Sequence, residues 1–488
     1  MKVRRVESPA IPVLTLIDYL HLTKRFGIVA ASQLPIHYLL SVKSPCSPIQ
    51  YLTRRSHETL NTFHQLLGRI ILLLFTLHAT FYLNFFIQKE ILLSRLTQAY
   101  VLCGVAAISG LWALGSTARA PIRRWNYRVF YTVHIIVAVG LLPVLFFHVS
   151  HLRIYLYETA VVVAANFALR WADTQRIVAT IKKLPETDLV EITVPRFSKP
   201  MEQRLRSWQP GQHGYISLAS ESGTLSKANP FSLASVPTSD DNLRFVARIL
   251  KGNTAHLGHV ATANPKSDVH AVSREIKLEG PYGVRTHADE LLLCSKVLFI
   301  AGGIGATFIV PLYRQLLADL TPSSGSSRRR NVEFLWVVRG LEDVRWGLPA
   351  DEDDGDDGEK SEGRSGLMRN DFVERLRVFV TGSARQDLDS RQDSHKEGRD
   401  GIEMEQRGSL LPKFSEDMSE KGVQDFAVTR GRPDLGRAIG DLFSHPLERR
   451  VAVVVCGPHG LNRAVRKEVR SWGLKGKDVW YHEEEFAL

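Results

Sequence analysis

The sequence predicts a chain of three parts: an α-helical membrane domain, a small soluble β-barrel and an α/β doubly wound domain. Three observations predict it. Long apolar runs dominate the first 171 residues. From about Ile177 they give way to short β-rich runs, LVEITV, GYISLAS, LRFVARIL and VSREIKLEGPYG, set apart by turn signals, which suit an antiparallel barrel. From Ser295 the texture becomes buried strand, glycine turn and helix, with KVLFIAGGIG, VEFLWVVRG and VAVVVCGPHG as three strands.

Five membrane spans are readable, near residues 26–42, 64–87, 97–117, 129–149 and 152–171. The first is short and carries Gln33, Pro35 and His37. Residues 9–22 are too few to cross a bilayer, and the start MKVRRVESPAIPVLTLIDYL is broken by prolines and Asp18, a poor fit to a cleaved signal peptide. Arg54 and Arg55 precede the second span and PIRRWNYR separates the third from the fourth, so both loops are expected in the cytosol. The second and fourth spans then run parallel.

Those two spans carry His64 and His78, and His134 and His148. Each gap is 14 residues, close to four helical turns. Each pair therefore lies on one helix face, about 21 Å apart along the axis. Any one of these rings could be a core residue bonded to a neighbouring helix. Two same-face pairs with equal spacing favour metal ligands, because a polar ring at bilayer depth needs a partner and iron suits facing imidazoles. His64 pairs with His134 near the cytosolic face and His78 with His148 near the outer face, so two stacked haems are expected.

Composition bounds the alternatives. A length of 488 residues admits two or three domains, and 44% hydrophobic content averages two unlike regions. The net charge of +11 comes from 62 basic and 51 acidic residues. Arg54, Arg55, Arg119, Arg123, Arg124 and Arg128 cluster beside apolar spans, so the charge marks membrane sidedness and not a nucleic-acid partner. Cys46, Cys103, Cys294 and Cys456 show neither paired nor zinc-type spacing. DEDDGDDGEKSE and the polar tract after it cannot bury enough apolar surface to fold, so 346–422 reads largely as a disordered insertion with a local strand around LRVFVTG.

In the soluble part, AGGIGAT (301–307) follows an apolar strand and opens the helix FIVPLYRQLL. Glycines there let backbone N–H groups approach a phosphate at a helix N-terminus. CGPHG (456–460) ends another strand at the edge where doubly wound folds bind ligands, although Cys456 also fits a small buried thiol.

Taken in order, PGQHGYISL, NPFSLAS, ARILKG, LEGPYG, AGGIGAT and CGPHG resemble the ferredoxin-NADP reductase module. Joined to a four-His membrane domain, the whole resembles a fungal-type ferric reductase transmembrane component, in the superfamily that includes the NADPH oxidases. The resemblance covers roughly residue 26 to 488 outside the insertion. It implies a short N-terminal segment (1–25), a bis-haem membrane domain (26–172), a FAD-binding barrel (173–290) and an NADP-binding domain (291–488), with FAD, two b-type haems and NADPH as cofactors.

The resemblance also implies roles. Pro230, Phe231 and Ser232 would contact the flavin, with the Ser232 hydroxyl near the nitrogen that receives hydride. His213, Arg248 and Lys251 would line the FAD site, the two cations facing the pyrophosphate. Gly302, Gly303, Gly305 and Thr307 would hold the NADPH phosphates, with Arg339 a candidate for the 2'-phosphate unless it is simply solvated. Cys456, Gly457 and Pro458 would flank the nicotinamide, and Phe486 would cover the flavin until nicotinamide displaces it. Asn229 departs from the family, which usually has His before Pro-Phe, and the N-terminal membrane portion is shorter than usual.

The implied activity is NADPH-dependent reduction of ferric chelates or siderophores, with copper as a further acceptor. A flavin must stand between a hydride donor and one-electron haems. The expected setting is the plasma or vacuolar membrane, beside a ferroxidase and permease that take up iron. Three other readings remain: a superoxide-forming NADPH oxidase, a metal-ion transporter using intramembrane histidines, and a non-catalytic remnant. The equal histidine gaps resemble the reductases, since the oxidases usually have one gap shorter by one.

Overall fold

A computed structural model of the chain describes residues 13–44, 47–53, 55, 57–195, 208–219, 228–237, 239–250, 252–262, 271–283, 287–320, 331–349, 371–382, 426–444 and 450–484. The N-terminal part is helical: α1 (Val13–Ser32), α2 (Leu34–Leu39), α3 (Pro48–Thr53), α4 (His57–Gln88), α5 (Leu92–Leu96), α6 (Ala99–Thr117), α7 (Ala120–Trp125), α8 (Tyr127–His148) and α9 (Arg153–Asp173). Among the described residues, four helical segments are long and apolar enough to cross a membrane: Thr59–Gln88, Ala99–Thr117, Val129–His148 and Ser150–Asp173, with mean hydropathy 2.0, 1.6, 2.3 and 1.3. Their outward faces expose Leu66, Ile70, Leu73, Ile136 and Val161, while Ile71, Phe75, Ala107, Leu141, Leu145 and Leu156 form the internal core. That inversion suits lipid, which is as apolar as leucine itself.

The first span differs from expectation. The segment expected at 26–42 is the end of α1 followed by α2, and α1 itself begins at Val13. Pro35 causes the break, because its ring clashes with the carbonyl four residues back and it has no N–H to bond there. Tyr19 pins α1 to α4, donating to the Phe81 carbonyl at 2.9 Å and stacking on the Phe81 ring at 5.3 Å.

Helix α9 ends at Asp173 and β1 begins at the next residue. The strands β1 (Thr174–Lys183), β2 (Leu189–Pro195), β3 (His213–Leu218), β4 (Asn229–Ser232), β5 (Asn242–Arg248) and β6 (Ala271–Tyr282) form an antiparallel sheet in the order β4-β3-β6-β1-β2-β5. A bridge between Leu233 and Phe245 joins its ends into a nearly closed barrel. The interior follows the strand period: Ile177, Ala179 and Ile181 of β1 and Val190, Ile192 and Val194 of β2 are buried.

The strands β7 (Lys296–Gly302), β8 (Asn331–Val338), β9 (Leu376–Val380), β10 (Ala427–Arg430), β11 (Val451–Cys456) and β12 (Val479–Glu484) form a second sheet, ordered β10-β9-β8-β7-β11-β12. All its pairings are parallel. Parallel sheets are covered on both faces, which is why β11 is buried at every position and reads VAVVVC. The strand β9 is the LRVFVTG strand; it lies within 346–422 yet pairs with β8, Phe334 opposite Leu376. The stretches 350–370 and 383–422 of the expected insertion lie outside the described residues.

Barrel and parallel sheet share a core, since Leu189, Ala234 and Val246 pack with Phe308, Ile309 and Tyr313. At its edge Arg314 grips Asp240 with two bonds of 2.8 and 2.7 Å. Burial would raise the Asp240 carboxyl, but the hydrogen bonds and charge of Arg314 outweigh it and hold it below its usual range. A depressed carboxyl contributes stability that is complete above the unfolded value of roughly 3.9 and is lost as pH falls through the folded value. Asp240→Asn should therefore cost about 2 kcal/mol at neutral pH, read by denaturant melts. The gap from wild type should close in acid; a pH-independent gap would assign the cost to packing.

Candidate functional sites in the membrane helices and at the sheet edge

Helix α4 runs 32 residues without interruption and presents His64 and His78 to α8. The ring centroids of His64 and His134 are 6.3 Å apart, and those of His78 and His148 are 6.4 Å apart. Two imidazole nitrogens bound to opposite sides of one metal, each at roughly 2 Å, put the ring centroids roughly 6–6.5 Å apart. Both pairs have that separation.

The second nitrogens support the same geometry. Nδ1 of His64 meets the His37 carbonyl at 3.0 Å, Nδ1 of His78 the Thr23 carbonyl at 2.9 Å and Nδ1 of His148 the Tyr100 carbonyl at 2.6 Å. A carbonyl only accepts, so each Nδ1 carries the proton and Nε2 is left as the ligand nitrogen. His134 differs, for its buried Nδ1 has no partner among the described residues.

Glycines make room for the rings. A Cβ on Gly27 would stand 2.8 Å from His78 Nδ1, and one on Gly104 would stand 2.6 Å from His148 Cε1. Sequence spacing found the four histidines but not these glycines, nor His37, whose ring stacks on His64 at 4.0 Å. A glycine in an apolar helix beside no turn signal was the available clue.

The second constellation lies where the parallel sheet reverses its strand order, between β7 and β11, the point at which doubly wound folds bind ligands. Ala301 and Cys456 are paired across these strands, so the AGGIG and CGPHG turns leave side by side. A Cβ on Gly302 would come 2.6 Å from Pro458 Cδ, and one on Gly305 would collide with the Cys456 carbonyl. Gly303 has φ +55, in the left-handed region. The helices Ala306–Leu320 and His459–Leu474 begin here together, and two converging N-termini favour an anion.

The expected nucleotide residues fare differently. Cys456 is fully buried, and burial, then Glu484, pushes its thiol up. Thr307 is also buried and its hydroxyl donates to the Ile304 carbonyl at 2.9 Å, which braces the turn. Arg339 is exposed just after β8. Gly457 packs on Gly302, its added Cβ 3.1 Å from the Gly302 Cα.

On the barrel, His213 sits opposite Ser232 in the β3–β4 pair, next to Phe231 and Pro230. Phe231 packs into the barrel core and Ser232 is buried, while Pro230 is exposed. Asn229 pairs with Ile216. Arg248 Nη2 donates to Asp343 at 2.8 Å, because β5 ends against the turn after β8. Lys251 and Phe486 lie outside the described residues.

Comparison with known proteins matches residues 26–145 to a ferric reductase like transmembrane component, 174–286 to a FAD-binding domain, and 294–349 with 365–470 to a ferric reductase NAD binding domain. The chain is 21% identical over 453 residues to the probable metalloreductase AIM14 of Meyerozyma guilliermondii, covering 92% of this chain and 80% of that protein. It is 24% identical over 351 residues to the probable cell surface ferric reductase kap2 of Aspergillus oryzae, covering 66% and 44%. It is 25% identical over 491 residues to ferric reductase transmembrane component 5 of Saccharomyces cerevisiae, covering 95% and 61%. The chain thus spans about half to four-fifths of the length of these relatives.

Gly305→Ala should lower the stability of the soluble part by about 2–3 kcal/mol, because the obstacle is backbone and cannot rotate away. Thermal melts paired with nucleotide titration check this, and an unchanged melt would show that the two turns separate freely.

Proposed function

The chain belongs to the ferric reductase family, and we propose that it is a membrane ferric-chelate reductase, moving electrons from cytosolic NADPH through FAD and two b-type haems to ferric iron. One observation carries the reading: two facing imidazole pairs at 6.3 and 6.4 Å on helices long enough to cross a membrane. When bound, the flavin would split the hydride's electron pair into single electrons and the haems would relay them.

The residues contribute position and insulation. His64 and His134 would hold the inner haem, and His78 and His148 the outer one. Backbone carbonyls of His37, Thr23 and Tyr100 fix three of the four rings and raise their basicity as ligands. Because two histidines would hold each haem iron, electron transfer to the acceptor would need no deep substrate pocket, which would suit bulky ferric chelates. At the sheet edge Gly302, Gly303 and Gly305 would admit the NADPH phosphates to the paired helix N-termini. Cys456, Gly457 and Pro458 would flank the nicotinamide, and His213, Pro230, Phe231 and Ser232 the flavin. Lys251 would add a cation to the FAD site and Arg339 one for the 2'-phosphate, while Phe486 would cover the flavin. Siderophores as acceptors, and coupling to a ferroxidase and permease in the plasma or vacuolar membrane, belong to the same proposal.

The test is a reduced-minus-oxidised spectrum of membranes carrying the chain, followed by NADPH-driven reduction of ferric chelate and of oxygen in parallel. Haem bands with chelate reduction support the proposal; oxygen consumption without chelate reduction would make the chain an oxidase. His78→Ala or His148→Ala should remove the outer haem and chelate reduction while NADPH still reduces FAD. Full cytochrome content in both variants would sink the ligand assignment.

A second expectation concerns Arg248, which faces competition from Asp343 for any phosphate it would bind. Arg248→Ala should weaken FAD binding by about 1.5–3 kcal/mol, and Asp343→Asn should strengthen it. Flavin retention on dilution reads both, and equal retention in all three proteins would remove Arg248 from the site.

A further inference from the structure

Between the membrane helices and the barrel lies a polar cluster built partly from the LEGPYG run, whose Glu279 and Tyr282 have been given no role so far. Arg170, in the last turn of α9, grips Glu279 of β6 with both arms: Nε donates to Oε1 at 2.8 Å and Nη2 to Oε2 at 3.1 Å. The Tyr282 hydroxyl donates to the same carboxylate at 2.7 Å. Glu279 is only 8% exposed. Burial would raise its carboxyl, yet the bonds and charge from Arg170, with Tyr282, keep it below its usual range and ionised.

The cluster reaches both proposed cofactor sites. On the membrane side Arg170 Nη1 lies 3.5 Å from the Tyr131 hydroxyl, and Tyr131 precedes His134 by three residues on the same face of α8. On the barrel side the Tyr282 ring stands 5.9 Å from His213 and 5.8 Å from Tyr215. Lys43, just beyond α2, places its ammonium 3.3 Å from the Tyr215 ring centroid and 4.9 Å from that of Tyr282. Ser44 beside it donates to Asp173 at 2.8 Å.

A partly buried ion pair is a poor source of stability, because desolvation and solvent screening offset most of its attraction. Its bidentate geometry instead fixes orientation. Here it bridges the segment that ties α9 to β1 with no intervening residue, so it sets how the barrel is turned beneath the helices.

We propose that Arg170 and Glu279, with Tyr131, Tyr282 and Lys43, form a docking latch that holds the flavin barrel against the inner-haem site. They are positioning residues. The inference rests on the flavin and haem reading above. The step they govern moves one electron at a time from the reduced flavin, which is oxidised, to ferric haem iron, which is reduced, with NADPH as the source of electrons.

The test uses the full-length chain, purified with FAD and haem bound, in stopped-flow mixing with NADPH. Flavin and haem absorbance are followed separately, alongside a soluble dye that takes electrons from the flavin directly. In Arg170→Met and Glu279→Gln, flavin reduction and dye reduction should match wild type, while haem reduction slows by about tenfold or more. The double variant Arg170→Glu with Glu279→Arg should recover part of the rate. Haem reduction at the wild-type rate in both single variants overturns the latch, and so does loss of bound FAD or haem in both, which would make the pair a folding element. A wild-type chain without haem bands overturns the underlying reading instead.

Discussion

The membrane half depends on where the second nitrogen of each histidine goes. An imidazole at bilayer depth has two polar atoms, and a metal can satisfy only one of them. In His64, His78 and His148 the other is spent on a backbone carbonyl, two of these from the α1–α2 segment and one from the start of α6. Those bonds set the ring tautomer and its rotation, and both are required before two helices can present facing nitrogens. The glycines at 27 and 104 follow from this, since a methyl group there would push the ring off its carbonyl.

The soluble half is governed by a different constraint, the side-by-side exit of two parallel strands. Because β7 and β11 stay paired as far as Ala301 and Cys456, their following turns must share space that side chains would fill. Glycine at 302 and 305 is thus a packing requirement before it is a binding one. The same crowding brings two helix N-termini together, which concentrates partial positive charge without any basic side chain.

Much of this was legible in the sequence, for physical reasons. Helical and strand periods are local, so the change from apolar helices to alternating strands at Ile177 and to continuous apolar strands at Ser295 could be read directly. Equal histidine gaps encode a shared face, so the pairing of His64 with His134 and of His78 with His148 was also accessible. The start of α1 was not, because Asp18, Lys24 and Arg25 dilute its apolar signal while leaving its helical propensity intact. Nor was the partner of Arg248, since Asp343 lies 95 residues away in the chain. The grip of Arg170 on Glu279, 109 residues apart, was hidden for the same reason.

The direct passage of α9 into β1 carries a consequence for how such chains can diverge. A helix turns roughly 100° per residue, so adding or deleting a single residue near Asp173 would swing the whole barrel around the helix axis by that angle. Loops elsewhere absorb changes of length. This junction has none to absorb them, and it should tolerate exchange of residue types far more readily than any change of spacing. Chimeras that graft a foreign reductase module onto these helices would have to preserve helical phase, much as a screw thread must be cut to start at the right angle.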